Sequence, residues 1–294
     1  MIYDSLGNVL DDTDKAFINS IDVEYGRINN EASYYFCRIP KHDTNGNIYT
    51  PKVVIPSADG TETPTNKKLS ALAYAKQFNV PFCINAGLFT AGQNNDRPLG
   101  ALVINGVDKS WYTGNNGTTC YLAEEGVIGE NECYPLLIDA DGKLSIADTD
   151  KRAEANTPAS IIAAGYKYAV SGWGLIIQNG VSADLDTYEL KHKGKYTRQV
   201  VGQFENGDYF TMSVMAKTGN LNSEIEKGCN YASIASFLIE KKGAIFAYGL
   251  DGGASTSVIL GKRSVSPILK NTDGRALGTL LAWTKNDNVI GNNK

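Results

Sequence analysis

The run Asp251-Gly252-Gly253-Ala254-Ser255-Thr256-Ser257 follows the apolar stretch FAYGL and puts a carboxylate, tandem glycines and three hydroxyls side by side. Tandem glycines let backbone N–H groups approach a ligand closely, and successive amides form a nest that favours an anion. A carboxylate at the edge of an apolar strand is partly desolvated, which suits a general base or nucleophile. Taken alone, D-G-G-x-S also fits a tight turn between strands. Three further segments share its character, with small and polar residues where a strand starts or stops. They are Asn85-Ala86-Gly87-Leu88-Phe89 after PFCI, Ser171-Gly172-Trp173-Gly174 before LIIQNG, and Tyr196-Thr197-Arg198-Gln199 before VVGQF. Four such segments in one chain point to a site.

The chemistry open to that site is narrow. There are two histidines, His42 and His192, both in polar segments that read as exposed. H-E-x-x-H, paired C-x-x-C, G-x-S-x-G, the P-loop and G-x-G-x-x-G are all missing. Catalysis must therefore rest on carboxylates, arginine, amides and hydroxyls. Without clustered metal ligands no cofactor is expected, and Ca²⁺ held by carboxylates scattered in sequence is the alternative.

Composition sets the remaining bounds. A chain of 294 residues, 42% hydrophobic and 20% charged, is long enough to bury a sizeable core. A formal net charge of −4 gives no positive excess for a nucleic-acid backbone, so nucleic acid is not an expected partner. No apolar run reaches the ~20 residues that span a bilayer, so no membrane is expected either. The opening MIYDSLGNVLDDTDK lacks a basic and an apolar signal region, so the chain reads as cytoplasmic or virion-associated, or as exported without a cleavable signal or after its removal, and the sequence does not separate these. Five scattered cysteines read as reduced and structural, with a Cys120–Cys133 bridge as the alternative. Oligomeric state is not legible.

The elements that must position these residues follow from periodicity. Residues 1–16 read as a polar leader, 17–286 as one domain and 287–294 as a polar tail. From Phe17 the pattern turns to β, through FINSIDVEYGRI, ASYYFCRIP and IYTPKVVIP. Asn66 to Phe78 predicts a helix capped by Asn66 and ended by Asn79-Val80-Pro81. Asn105-Gly106, Asp141-Gly142, Asn179-Gly180 and Asn206-Gly207 each mark a hairpin turn. Asn230 to Lys241 predicts a second helix, stopped by Gly243. The expected fold is α+β, a mainly antiparallel sheet with helices packed on it in a single domain.

In order along the chain, the segments resemble the phosphodiester glycosidase family over about residues 34–284. The family's N-G-G-F-F strand end is matched by Asn85 to Phe89, and its P-x-G-x-x-I-x-x-G hairpin by Pro98 to Gly106. Its G-P-x-L-V-x-x-G strand is matched by Gly172 to Gly180, and R-T-A-I-G by Arg198 to Gly202. A helix then leads to L-D-G-G-G-S-S, matched by Leu250 to Thr256. Ala86, Leu88, Trp173 and Ala254 depart from the pattern at positions that shape a sugar pocket.

The resemblance implies release of a sugar, N-acetylglucosamine in the best-known animal member, from a sugar-1-phosphodiester or glycoconjugate. A departing phosphate monoester is a weak base, so a strong general acid matters less than in ordinary glycoside hydrolysis. Asp251, Arg198 and Asn85 are the expected catalytic set. Asp251 steers water or stabilises the oxocarbenium-like centre, Arg198 grips phosphate with its planar fork, and Asn85 bonds sugar or phosphate. Gly87, Gly252, Gly253, Ser255, Thr256 and Trp173 are expected to bind substrate. Arg97 and Arg275 stand in reserve as phosphate ligands, and Glu205 or Glu224 as a second carboxylate. Two other readings stay open, a non-catalytic carbohydrate-binding or viral tail module on the same fold, and a phosphodiesterase that breaks the P–O bond.

Overall fold

The computed structural model describes residues 12–62, 67–89, 97–110, 135–147, 157–183, 185, 194–216, 227–268 and 273–285. Asn66, Cys120, Cys133, His192, Glu224 and the polar tail lie outside them.

In chain order the strands begin with β1 (Asp22–Ile28), β2 (Ala32–Ile39), β3 (Tyr49–Val54), β4 (Phe82–Asn85), β5 (Leu102–Ile104) and β6 (Val107–Asp108). There follow β7 (Leu136–Ile138), β8 (Leu144–Ile146), β9 (Tyr168–Val170), β10 (Gly174–Gln178), β11 (Val181–Ser182) and β12 (Arg198–Gln203). The last are β13 (Tyr209–Val214), β14 (Phe246–Leu250), β15 (Val258–Leu260), β16 (Arg263–Ser264) and β17 (Leu280–Lys285). They form three sheets, ordered β1-β2-β13-β12-β14-β10-β11, β16-β15-β4-β17-β3 and β6-β5-β9-β7-β8. The paired strands run antiparallel, so the α+β, mainly antiparallel expectation holds.

Period-two alternation explains the packing. Val201, Tyr209 and Tyr248 of the large sheet, Ile84 of the second and Leu102 and Leu136 of the third enter one shared cluster. Their strand neighbours face outward into separate clusters, each covered by a helix. Val200, Phe210 and Ala247 pack under α4 (Tyr231–Phe237). Cys83, Leu280 and Ala282 pack under α2 (Ala71–Phe78). Val103, Leu137 and Ala169 pack under α3 (Pro158–Ala163). Three sheets thus share a centre, and each carries a helix on its outer side.

Several local expectations are corrected. Phe17 does not open a strand, because it sits in α1 (Asp12–Ser20), fully buried and stacked on Tyr49 at 3.8 Å. The expected leader boundary at residue 16 therefore falls inside a helix. α2 starts later than expected, with Ser70 as its cap, its hydroxyl accepting from Ala73 N, and Asn79 closing it in the left-handed region at φ 53°. α4 begins as expected after Asn230, but widens into a π-turn over Leu238–Lys242 before Gly243 ends it. α3 was not foreseen, although Thr157-Pro158 is a cap followed by proline in the first turn.

The Asn105-Gly106 and Asn179-Gly180 turns have both residues at positive φ, as a type I′ hairpin requires. At Asp141-Gly142 and Asn206-Gly207 only the glycine is positive, so these are different turns. Side chains organise them instead, Asp139 Oδ1 accepting from Asp141 N and Lys143 N, and Asn206 Oδ1 from Asp208 N. Cys37, Cys83 and Cys229 are buried free thiols, and burial pushes the Cys37 thiol up to about 12. Among the described residues no helix is long and apolar enough to cross a membrane.

Candidate active site

The four segments singled out in the sequence meet where the three sheets meet. β14 of the large sheet ends at Leu250, and Asp251 N then donates to Ala86 O at 2.9 Å, just past the end of β4 in the second sheet. Leu88 N donates to Ser171 O at 2.9 Å, just past β9 of the third sheet. Trp173 N returns to Gly249 O on β14 at 2.7 Å, and Gly253 N donates to Thr197 O, beside β12, at 3.1 Å.

Close backbone approach accounts for the glycines. A Cβ on Gly252 would lie 2.5 Å from Thr197 O, on Gly172 2.5 Å from Gly249 O, and on Gly87 2.6 Å from Val170 Cγ2. Gly253 is different. Its surroundings are open, but φ is +59°, which starts the 3₁₀ turn Gly253–Ser255.

Asp251 is half-buried at the head of this turn. Burial pushes its carboxyl up to about 6 from an ordinary 3.8, opposed by the Ser255 hydroxyl, the Arg275 charge and the Gly252 amide, which donates to Oδ1 at 2.9 Å. Ser255 Oγ has no hydrogen bond of ordinary geometry, yet lies near enough to favour the ionised acid. A carboxyl in this state is poised to exchange a proton near neutrality.

Asn85 is 1% exposed and its amide is engaged at both ends. Nδ2 donates to Asp251 O at 2.6 Å, and Oδ1 accepts from Ser257 N at 3.0 Å. Arg198 is 3% exposed. It donates to Gly194 O at 2.9 Å and Cys229 O at 3.4 Å, with its guanidinium 4.3 Å from the Tyr231 ring centre and 4.8 Å from that of Tyr196. Both side chains therefore reach the site through the backbone and rings that shape it.

Thr256 is 2% exposed, and among the described residues its hydroxyl has no partner. Trp173 is half-buried against the cluster under α4. Arg275 is half-buried 4.8 Å from the Phe89 ring centre, with its charge acting on Asp251. Arg97 adjoins the Phe89–Pro98 bridge. Glu205 is not brought here. It is exposed beyond the far end of β12, one strand length from Arg198, about 20 Å. His42 is exposed, as expected.

Sequence reasoning missed three supports. Thr279, 1% exposed, accepts from Gly87 N at 2.9 Å, and Tyr248 Oη accepts from Gly172 N at 2.8 Å. Thr197 Oγ1 accepts from Ala216 N at 2.9 Å. Tyr248 lies in β14, and Thr197 and Thr279 stand one residue before β12 and β17, so each role arises only from which strand lies beside it. Among the described residues no group of three or more His, Cys, Asp or Glu side chains is placed to hold a metal.

Among the described residues the arrangement is a carboxylate with amides and hydroxyls around it, without histidine, at the seam of three antiparallel sheets. A family model for phosphodiester glycosidase matches residues 78–284, and the chain belongs to that family. No curated protein matches it. Among solved structures it is similar to the catalytic domain of zebrafish N-acetylglucosamine-1-phosphodiester alpha-N-acetylglucosaminidase, auto-inhibited by its pro-peptide. The TM-score there is 0.59 at 18% identity, over 90% of this chain and 81% of that one. A hypothetical protein from Synechocystis gives 0.57 at 12% identity, over 89% of this chain and 61% of that one. An exported protein of Burkholderia pseudomallei K96243 gives 0.52 at 12%, over 86% and 74%. At these identities the likeness is one of fold.

Proposed function

We propose that this chain hydrolyses a sugar-1-phosphodiester at the anomeric carbon, with Asp251 as the group that takes the proton from water. The observation that carries this reading is the setting of Asp251, a carboxyl that burial raises to about 6, with the Gly252 amide 2.9 Å from Oδ1 and the Ser255 hydroxyl beside it. Water forms the new bond to C1, the C1–O bond to phosphate breaks, and the phosphate monoester leaves with the electron pair. Asp251 receives the proton. Because the leaving group is already a weak base, one such carboxylate suffices, and no second acid is required.

Asn85 and Arg198 act here as positioning residues. Asn85 fixes the carbonyl of Asp251, and Arg198 fixes Tyr231 and the Gly194 and Cys229 carbonyls around it. In this reading Gly252 and Gly253 bring backbone to the substrate, and Gly87 lets the chain after β4 pack closely on Val170 and Ser171. Trp173 packs against the cluster under α4, at the side of the site. A glycoconjugate carrying a phosphodiester, such as one capped with N-acetylglucosamine, is the substrate class. No metal takes part in this scheme.

Turnover of a panel of sugar-1-phosphodiesters in heavy-oxygen water tests it, with mass spectrometry of both products. The label is expected on the sugar hydroxyl. Label on the phosphate would replace this reading with P–O cleavage, and no turnover across the panel would leave a binding module.

A further inference from the structure

Asp251 and Arg198 stand opposite each other on neighbouring strands, yet their side chains are engaged elsewhere. The β12–β14 register pairs Gln199 with Leu250, so the next step sets Arg198 opposite Asp251. The chain beyond keeps that course. Gly253 N donates to Thr197 O at 3.1 Å, and a Cβ on Gly252 would lie 3.6 Å from Arg198 Cα. Both residues also belong to the α4 face. Val200 and Ala247 pack under α4, and the period of two carries that face to Arg198 on one strand and to Gly249 and Asp251 on the other. Residues directly opposite in an antiparallel pair lie about 5 Å apart at Cα, where opposite charges ordinarily attract each other.

The Arg198 guanidinium instead donates to Gly194 O and Cys229 O, and the Tyr231 and Tyr196 rings flank it at 4.3 and 4.8 Å. Tyr231 opens α4 just after the Asn230 cap and is 1% exposed. Its hydroxyl edge lies against Gly249, where a Cβ would be 2.7 Å from Oη. A glycine two residues before Asp251 thus makes room for the ring. The hydroxyl feels both charged neighbours. Burial pushes it up to about 12, with Arg198 drawing it down and Asp251 adding to the rise. The Tyr231 ring therefore adjoins both members of the opposed pair. Among the described residues, the other groups that act on the Asp251 carboxyl are the Arg275 charge, the Ser255 hydroxyl and the Gly252 amide. The ends of β4 and β9 bring Asn85 and Ser171, which do not titrate, and Asp273 beside Arg275 is exposed and paired with Lys76 at 3.5 Å.

We infer that Tyr231 is a positioning residue that holds the Arg198 cation on its ring and keeps it off the Asp251 carboxyl, so that no ion pair quenches the base. A guanidinium within reach of Asp251 would favour the ionised form and weaken it as a proton acceptor. Cation and carboxylate can then share one site. The first fixes the Gly194 and Cys229 carbonyls, and the second is left to do chemistry. The consequence for rate rests on the reading of Asp251 as the base.

Titration of the Asp251 carboxyl carbon by NMR tests it, in the intact chain carrying isotopically labelled aspartate. Asp251→Asn assigns the resonance. Tyr231→Met fills much of the same space with a flexible side chain but offers no ring face. Its Asp251 midpoint should fall by about one pH unit or more, the effect of an opposite charge close by. Adding Arg198→Gln should reverse that fall. Tyr231→Phe keeps a face for the cation, so its midpoint should lie nearer the parent than Tyr231→Met. The pH midpoint of kcat/KM should follow the same order. Arg198→Gln alone should move the Asp251 midpoint less than Arg275→Gln does. That comparison serves should Tyr231→Met fail to fold, which near-UV circular dichroism checks. An unchanged or raised midpoint in Tyr231→Met, an equal fall once Arg198→Gln is added, or a larger shift in Arg198→Gln than in Arg275→Gln overturns the assignment. The two readings fail separately. The expected titrations without turnover sink only hydrolysis, and turnover with Asp251 indifferent to Tyr231 sinks only this role.

Discussion

Asn85 closes the loop that carries Asp251 at both of its ends, donating to the Asp251 carbonyl at 2.6 Å and accepting from Ser257 N at 3.0 Å. One buried carboxamide therefore joins β4 of one sheet to the end of β14 of another and sets where the reactive carboxyl stands. Asn85→Ala would leave a buried carbonyl and a buried amide unsatisfied, a loss of about 1–3 kcal/mol for each group. Chemical unfolding should show that loss. Turnover should fall through kcat more than through KM, because the loop, and not the sugar contact, is disturbed.

Asp251→Asn should abolish turnover and yet stabilise the fold at neutral pH. The native carboxyl titrates near 6, above the 3.8 of an ordinary aspartate, so the folded state holds its proton more tightly than the unfolded state. The destabilisation from ionising it is absent below about 3.8, grows between the two values and is complete above about 6. Removing the charge should then gain about 1–3 kcal/mol at pH 8 and nothing at pH 3.5. Urea unfolding at both pH values checks the sign, and equal stability at pH 8 would deny that the carboxyl is strained by burial.

The same titration sets the rate profile. A carboxylate that must accept a proton works only when ionised, so kcat/KM should rise with pH through a midpoint near 6 and then level. A falling limb at that pH would make Asp251 a proton donor. Arg275→Gln should move the midpoint upward, because its charge favours the ionised form.

The tandem glycines separate two physical demands. Gly252→Ala meets a fixed carbonyl, Thr197 O, at 2.5 Å, so strands must part and the variant should lose turnover and several kcal/mol of stability. Gly253→Ala has open space and suffers only the left-handed backbone, about 1–2 kcal/mol. Thermal unfolding of the two should rank them in that order.

What was legible in the sequence was mostly local. Type I′ hairpins at Asn105-Gly106 and Asn179-Gly180, the helix after Asn230 and the strand before Asp251 all announce themselves within a few residues. The four segments of the site were also visible, since each places small or polar residues at a strand end. What those residues do was less visible. Asn85 reads as a ligand from its type, but its carboxamide is taken up by a loop 166 residues away. Arg198 reads as a phosphate clamp, but Tyr231 and Tyr196 enclose it. Thr279 and Tyr248 carry no signal at all, because strand order decides their neighbours. Likewise α1 holds Phe17 directly before the alternating run of β1, which masks where the helix stops and the strand begins.

The meeting of three sheets at one seam also bears on how the chain folds. No single hairpin contains the site, and the Asn85–Asp251 contact closes a loop of most of the chain's length, which makes it entropically costly and late. During refolding, strand signal in circular dichroism should return first and catalytic competence afterwards, with a lag that reports the docking of the sheets. Protein that had regained its hairpins but not that seam would look native by secondary structure and be inert, so activity is the stricter assay of nativeness.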